Sequence, residues 1–114
     1  MKDKRITPAC KVWLEVDGKP FLGKGGAQIL EAIKSEKSVT NAAKKLGMSY
    51  RYVWDYMDRM NTVLSEPMIK THKGGRLGGG GANLTNLGEH LLQEYKRIEK
   101  HMNEVLSEET CQQV

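Results

Sequence analysis

The segment SVTNAAKKLGMSYRYVWDYMDRMNTVL, residues 38 to 64, limits the fold most tightly, because several of its positions carry separate steric demands. Ser38 is suited to cap a short helix whose apolar face is Val39, Ala42, Ala43 and Leu46. Gly47 stands where a left-handed residue would end that helix. Ser49 can then cap a second helix with Val53, Met57, Met60 and Leu64 on its buried face. Small Ala43 lets two helices cross closely, and Gly47 turns the chain four residues later. β-Branched Val53, six further on, locks the second helix against the first. Two short helices joined in this way are a helix-turn-helix.

The outer face of the second helix follows from a turn of about 100° per residue. With Val53 at the core centre, Arg51, Asp55, Asp58, Arg59 and Thr62 point away from it and Tyr52 lies at the border. Tyr50 and Trp54 are expected to flank the core, and Asn61 points partly inward, where it needs a hydrogen-bond partner. A solvated face would hold Arg51–Asp55 and Asp55–Arg59 pairs, each worth about 0.3 kcal/mol. On the second helix of this motif another use is expected, since its N-terminal residues reach base edges in the major groove.

The flanking segments extend the pattern. Residues 11–22 alternate Val12, Leu14 and Val16 against Trp13 and Glu15, and Asp17-Gly18 suits a tight turn, so a hairpin is expected. Gly23 to Gly26 should loosen the chain before a first helix over 26–37. Residues 67–84 read as two short strands around HKGGRLGGGGANL, whose six glycines no helix or sheet interior tolerates. A hairpin after a helix-turn-helix is a wing, and the glycines then form its tip beside Lys73 and Arg76. Neither glycine stretch ends in the Lys-Ser/Thr of a nucleotide-hydrolase loop. Residues 86–108 place Leu91, Tyr95, Ile98, Met102 and Val105 at alternating steps of four and three, a heptad seam suited to a dimer helix. Packing within the chain is the alternative, because Leu92 and Leu106 lie beside the seam.

Charge divides the chain. Residues 1–85 carry 15 Lys and Arg against 8 Asp and Glu, while residues 86–114 carry 3 against 6. A basic body with an acidic tail suits a polyanion-binding surface plus a separate interaction element. Cys10 and Cys111 form no CxxC pair, and His90 and His101 lack ligand spacing with a third residue, so no metal or cofactor is expected. The first ten residues lack an apolar signal core and no stretch approaches a membrane span, so a cytoplasmic chain is expected. No Ser/His/Asp, Cys/His or paired-carboxylate arrangement supports an enzyme.

With these segments in place, the chain resembles the N-terminal DNA-binding domain of ModE-type molybdate-responsive transcription regulators, and more distantly the winged helix of LysR-type regulators. The resemblance rests on AAKKLGMSY (Ala42 to Tyr50), the WD and MN of WDYMDRMN, and KGGRLGGGGANLT (Lys73 to Thr85) leading into Gly88 and Leu91-Leu92. It covers roughly Trp13 to Tyr95 and implies a mainly α, α+β winged helix, a homodimer and a DNA operator. Those regulators usually continue into a molybdate-binding module, whereas this sequence ends within twenty residues of Tyr95. The expectation is a stand-alone, sequence-specific DNA-binding regulator that lacks that module. Its DNA-contacting residues would be Ser38, Thr40, Ser49, Tyr50, Arg51, Tyr52, Asp55, Arg59, Lys73 and Arg76. The alternative is a winged-helix module that binds protein and no DNA.

Overall fold

The computed structural model describes residues 3–73, 80–109 and 112–113. In chain order its elements are β1 (Arg5–Ile6), β2 (Leu14–Val16), β3 (Lys19–Leu22), α1 (Lys24–Glu36), α2 (Val39–Leu46), α3 (Tyr50–Val63), β4 (Ile69–His72), β5 (Gly81–Leu84), α4 (Asn86–Ser107) and β6 (Gln112–Gln113). Antiparallel pairs join β1 to β6, β2 to β3 and β4 to β5. This is a winged helix with a long C-terminal helix.

The first hairpin forms as its sequence demands. Asp17 and Gly18 take φ of 52° and 78°, the conformation a two-residue turn needs to match the strand twist, and Val16 pairs with Lys19 across it. The next segment differs from expectation. Gly25 and Gly26 lie in the first turn of α1 and do not form a loosened connection. The reason is packing: Gly26 is buried, and a Cβ there would collide with the Tyr56 hydroxyl and the Leu22 side chain. The bare backbone lets a ring from α3 settle against α1. Behind it, Ala27, Ile29, Leu30, Ala32 and Ile33 fill the centre of the core against α2, β3, β5 and α4.

The helix-turn-helix is built by its caps. Ser38 Oγ accepts from Asn41 N at 3.2 Å, and Ser49 Oγ accepts from Tyr52 N at 3.0 Å. Gly47 sits at φ 68° and closes α2, its N–H donating to the Lys44 carbonyl at 3.2 Å. Ala43 and Val53 are buried where the two helices cross. Lys37, left-handed at φ 57°, ends α1, and its carbonyl accepts from Ala82 N at 3.1 Å, which fastens the wing to that helix end.

Asn61 finds the partners its position requires. Its Oδ1 accepts from Met68 N at 2.9 Å and Ile69 N at 3.1 Å, and its Nδ2 donates to the Ile69 carbonyl at 2.9 Å. One amide thus clasps the end of α3 to the start of the wing. Asn61→Ala strands three part-buried backbone groups and should cost about 2 kcal/mol of stability. Urea unfolding measures this, and a loss under about 0.5 kcal/mol would show that water takes over all three bonds.

Thr85 caps α4 by accepting from Gly88 N at 3.1 Å, and its hydroxyl donates to the Pro67 carbonyl at 2.8 Å. Its own N–H donates to the Met68 carbonyl at 2.9 Å. Gly88 lies hard against that same carbonyl, with no room for a side chain. Further along α4, Leu92 and Tyr95 are 1% and 2% exposed, both packed into the chain's own core. Tyr95 donates its hydroxyl to Glu99 at 3.0 Å, and burial together with that carboxylate pushes the phenol up to about 12. The first half of the heptad seam is therefore used internally. Tyr95 is committed to the domain core, and Leu91 is partly buried beside it. Ile98 and Met102 are partly covered, and Val105 is 41% exposed. The β1–β6 pairing, with Arg5 opposite Gln113 and Ile6 opposite Gln112, has no counterpart in the sequence reading.

Candidate nucleic-acid interface

The N-terminal half of α3 stands out from the core as a two-edged ridge. Arg51 and Asp55 lie on its exposed crest. One edge carries Tyr52, 51% exposed with its ring centroid 6.5 Å from that of Tyr56, and Arg59, whose guanidinium carbon lies 5.4 Å from the Tyr56 ring centroid. A cation over an aromatic face is held there by the ring quadrupole, so Arg59 is oriented without being neutralised. Tyr56 is partly buried, which raises its hydroxyl above the ordinary tyrosine value.

The other edge stands further into solvent than a place flanking the core requires. Tyr50 and Trp54 do not pack into the core; they are 53% and 38% exposed. Their rings stack on each other with centroids 6.3 Å apart and planes 11° from parallel. The reason is their place on the side of α3 that faces the wing, where Asn61 already makes the structural connection. Trp54 was absent from the expected DNA-contacting set. A signal existed, since residues four apart share a helix face and Tyr50 was in that set.

The remaining expected residues fall around this ridge. Ser38 and Ser49 are occupied as caps, though each hydroxyl keeps its proton free to donate. Thr40 is exposed in the first turn of α2, and Lys73 is exposed at the end of the wing's first strand. Arg76 lies outside the described residues, as does Cys111.

Electrostatics separates this face from the others. Among the described residues the ion pairs are Lys34–Glu89, Lys45–Glu36, Lys96–Glu31 and Arg97–Glu94, on α1, α2 and α4. Arg97 donates to Glu94 and holds its carboxyl below the usual range. Neither Arg51–Asp55 nor Asp55–Arg59 forms a pair among those residues, so the solvated reading of this face loses the contacts it needed. Among the described residues no three His, Cys, Asp or Glu side chains group to hold a metal ion, and no helix is long and apolar enough to cross a membrane.

A capped helix-turn-helix, a strand pair clasped to it and an exposed second helix define a winged-helix domain. No family model matches the chain. It is 37% identical over 86 residues to the molybdenum transport protein ModE of Azotobacter vinelandii, covering 75% of this chain and 32% of that one. It is 33% identical over 93 residues to the transcriptional regulator ModE of Haemophilus influenzae, covering 79% and 36%. With the DNA-binding transcriptional dual regulator ModE of Escherichia coli it shares 32% identity over 99 residues, 84% and 37% of the two chains. The chain carries a winged-helix domain of the ModE type. It spans about a third of the length of these relatives, and two of the three are named as transcriptional regulators.

Proposed function

We propose that this domain binds double-stranded DNA sequence-specifically to regulate transcription, with α3 in the major groove and the β4–β5 wing on the flanking groove. The observation that carries the reading is the exposed crest of α3, where Arg51 stands unpaired among the described residues between aromatic edges. A guanidinium there suits the bidentate contact to guanine O6 and N7. Asp55, one turn further, accepts from a cytosine amino group or orients Arg51. Tyr50, Tyr52 and Ser49 supply hydroxyls to base edges or phosphates. Ser38 and Thr40 meet a phosphate at the N-terminus of α2, where the helix dipole favours an anion. Arg59, Lys73 and Arg76 complete the contacts to the backbone. The reading involves no catalysis and no cofactor.

Arg51→Ala should cost about 1 to 3 kcal/mol of specific binding and relax preference at one base position. Selection of sites from random DNA with both proteins tests it, and an unchanged motif removes Arg51 from base reading. The exposed aromatic rings of α3 favour one rival, a docking surface for another protein. Salt separates the two, because each phosphate neutralised steepens the log–log dependence of affinity by about 0.9. Binding that is flat in salt would support the protein partner.

We further propose that two copies join through the outer half of α4, with Ile98, Met102 and Val105 facing their counterparts and Leu91 at the margin. The operator is then an inverted repeat. Within this domain no oxyanion sensor is required, so affinity for a selected duplex should be unchanged by added molybdate. A shift above about twofold, roughly 0.4 kcal/mol, would overturn that part of the proposal.

A further inference from the structure

Between the recognition helix and the wing lies an open cleft of about 460 Å³. Its floor is the Tyr50–Trp54 stack, apolar surface left in solvent. Its walls bring donors to that floor: the Thr40 hydroxyl from α2, and His72 and Lys73 from the wing. The far wall is bare backbone at Gly81, which pairs with His72 across the strands. A Cβ at Gly81 would run into the His72 imidazole, so that glycine leaves the ring room to lie across the outermost pair of the two strands. The buried core needs neither Trp54 nor His72, since both are exposed.

On the DNA-binding reading, which this inference rests upon, the cleft has a defined place on the duplex. A helix in the major groove and a wing in the adjoining groove are separated by one strand of the backbone. That strand alternates an apolar deoxyribose with an anionic phosphate. An aromatic floor between hydroxyl, imidazole and ammonium donors matches the alternation. We infer that this cleft grips one sugar–phosphate strand, with the Tyr50–Trp54 stack covering a deoxyribose and Thr40, His72 and Lys73 holding the adjoining phosphates. Trp54 is then a sequence-independent anchor on the backbone, separate from base reading by Arg51.

Trp13 and Trp54 are the two tryptophans of the chain, and Trp13 precedes the first hairpin, where its Nε1 donates to Glu15 at 2.8 Å. A Trp13→Phe variant therefore reports Trp54 emission alone. The probe is a fluorescein-labelled duplex selected by the wild-type chain from random DNA, with a scrambled duplex beside it. Saturating DNA should quench Trp54 emission. Trp54→Leu should weaken both duplexes by about tenfold or more while the selected motif stays the same. One methylphosphonate per half-site at the gripped phosphate should weaken the wild type similarly, and should cost the combined His72→Ala and Lys73→Ala variant much less. Two results would overturn the inference while leaving DNA binding intact: emission unchanged on a bound duplex, or a Trp54→Leu protein with altered preference at one base. A wild-type chain that binds no duplex would instead sink the DNA reading, and the grip with it.

Discussion

Gly88→Ala is expected to lower the stability of the domain by about 3 kcal/mol, near the upper end for a small-to-large change in a packed site. The added methyl group has nowhere to go. It points at the Met68 carbonyl, which is backbone and already accepts from Thr85 N at 2.9 Å. Relief means sliding α4 away from the wing, and that movement strains the Thr85 cap and exposes Leu92. Gly25→Ala makes the control. A Cβ there meets nothing within 4 Å, and the position is helical, so this change should stabilise by roughly 0.5 to 1 kcal/mol. Urea midpoints of the two variants should move in opposite directions. If Gly88→Ala unfolds with the wild type, the close approach of α4 to Met68 is not maintained in solution.

On the proposed pairing through α4, Ile98→Asp should convert the dimer to monomers and weaken binding to a two-half-site duplex by about a hundredfold or more. A carboxylate forced into an apolar seam carries a large desolvation penalty with no partner to offset it. In the single chain Ile98 is partly buried, less so than Leu92 or Tyr95, so the same change should cost folding less than an aspartate at either of those. Circular dichroism of the variant checks that it folds. The binding loss follows from connection: once one half-site is held, the second is met at high effective concentration, and a monomer forfeits that gain. Sedimentation of the variant together with footprinting of the parent tests both steps. Half-site centres should lie about 34 Å apart, or a multiple of that. A variant that remains dimeric moves the contact to the β2–β3 hairpin or to α1.

The contrast between what could and could not be read in the chain has a physical basis. Ser38, Gly47, Ser49 and Asp17-Gly18 act on their own backbone within four residues, so their caps and turns are visible in a linear string. Val53, Met57 and Met60 follow helical periodicity and report a buried face without naming what covers it. Gly26 looked like loosening because its meaning lies thirty residues away, in the Tyr56 ring. Helical periodicity sets Tyr50 and Trp54 beside the core, and only the wing's position shows that their rings stand together in solvent. The division of the heptad stripe at Tyr95 was equally hidden, since periodicity cannot distinguish a helix's own domain from a second copy.

The clasp at Asn61 carries a consequence for what the domain can measure. Two backbone amides and one carbonyl at the foot of the wing are tied to the far end of α3, and Ala82 is tied to the end of α1. The spacing between recognition helix and wing is thus fixed before any duplex arrives, and little ordering entropy is left to spend on docking. On the proposed DNA-binding role, a caliper with a set jaw would reject duplexes that do not fit. Base pairs that no side chain touches would then be selected through the groove width and stiffness they impose, so sequence preference should extend beyond the bases Arg51 can reach.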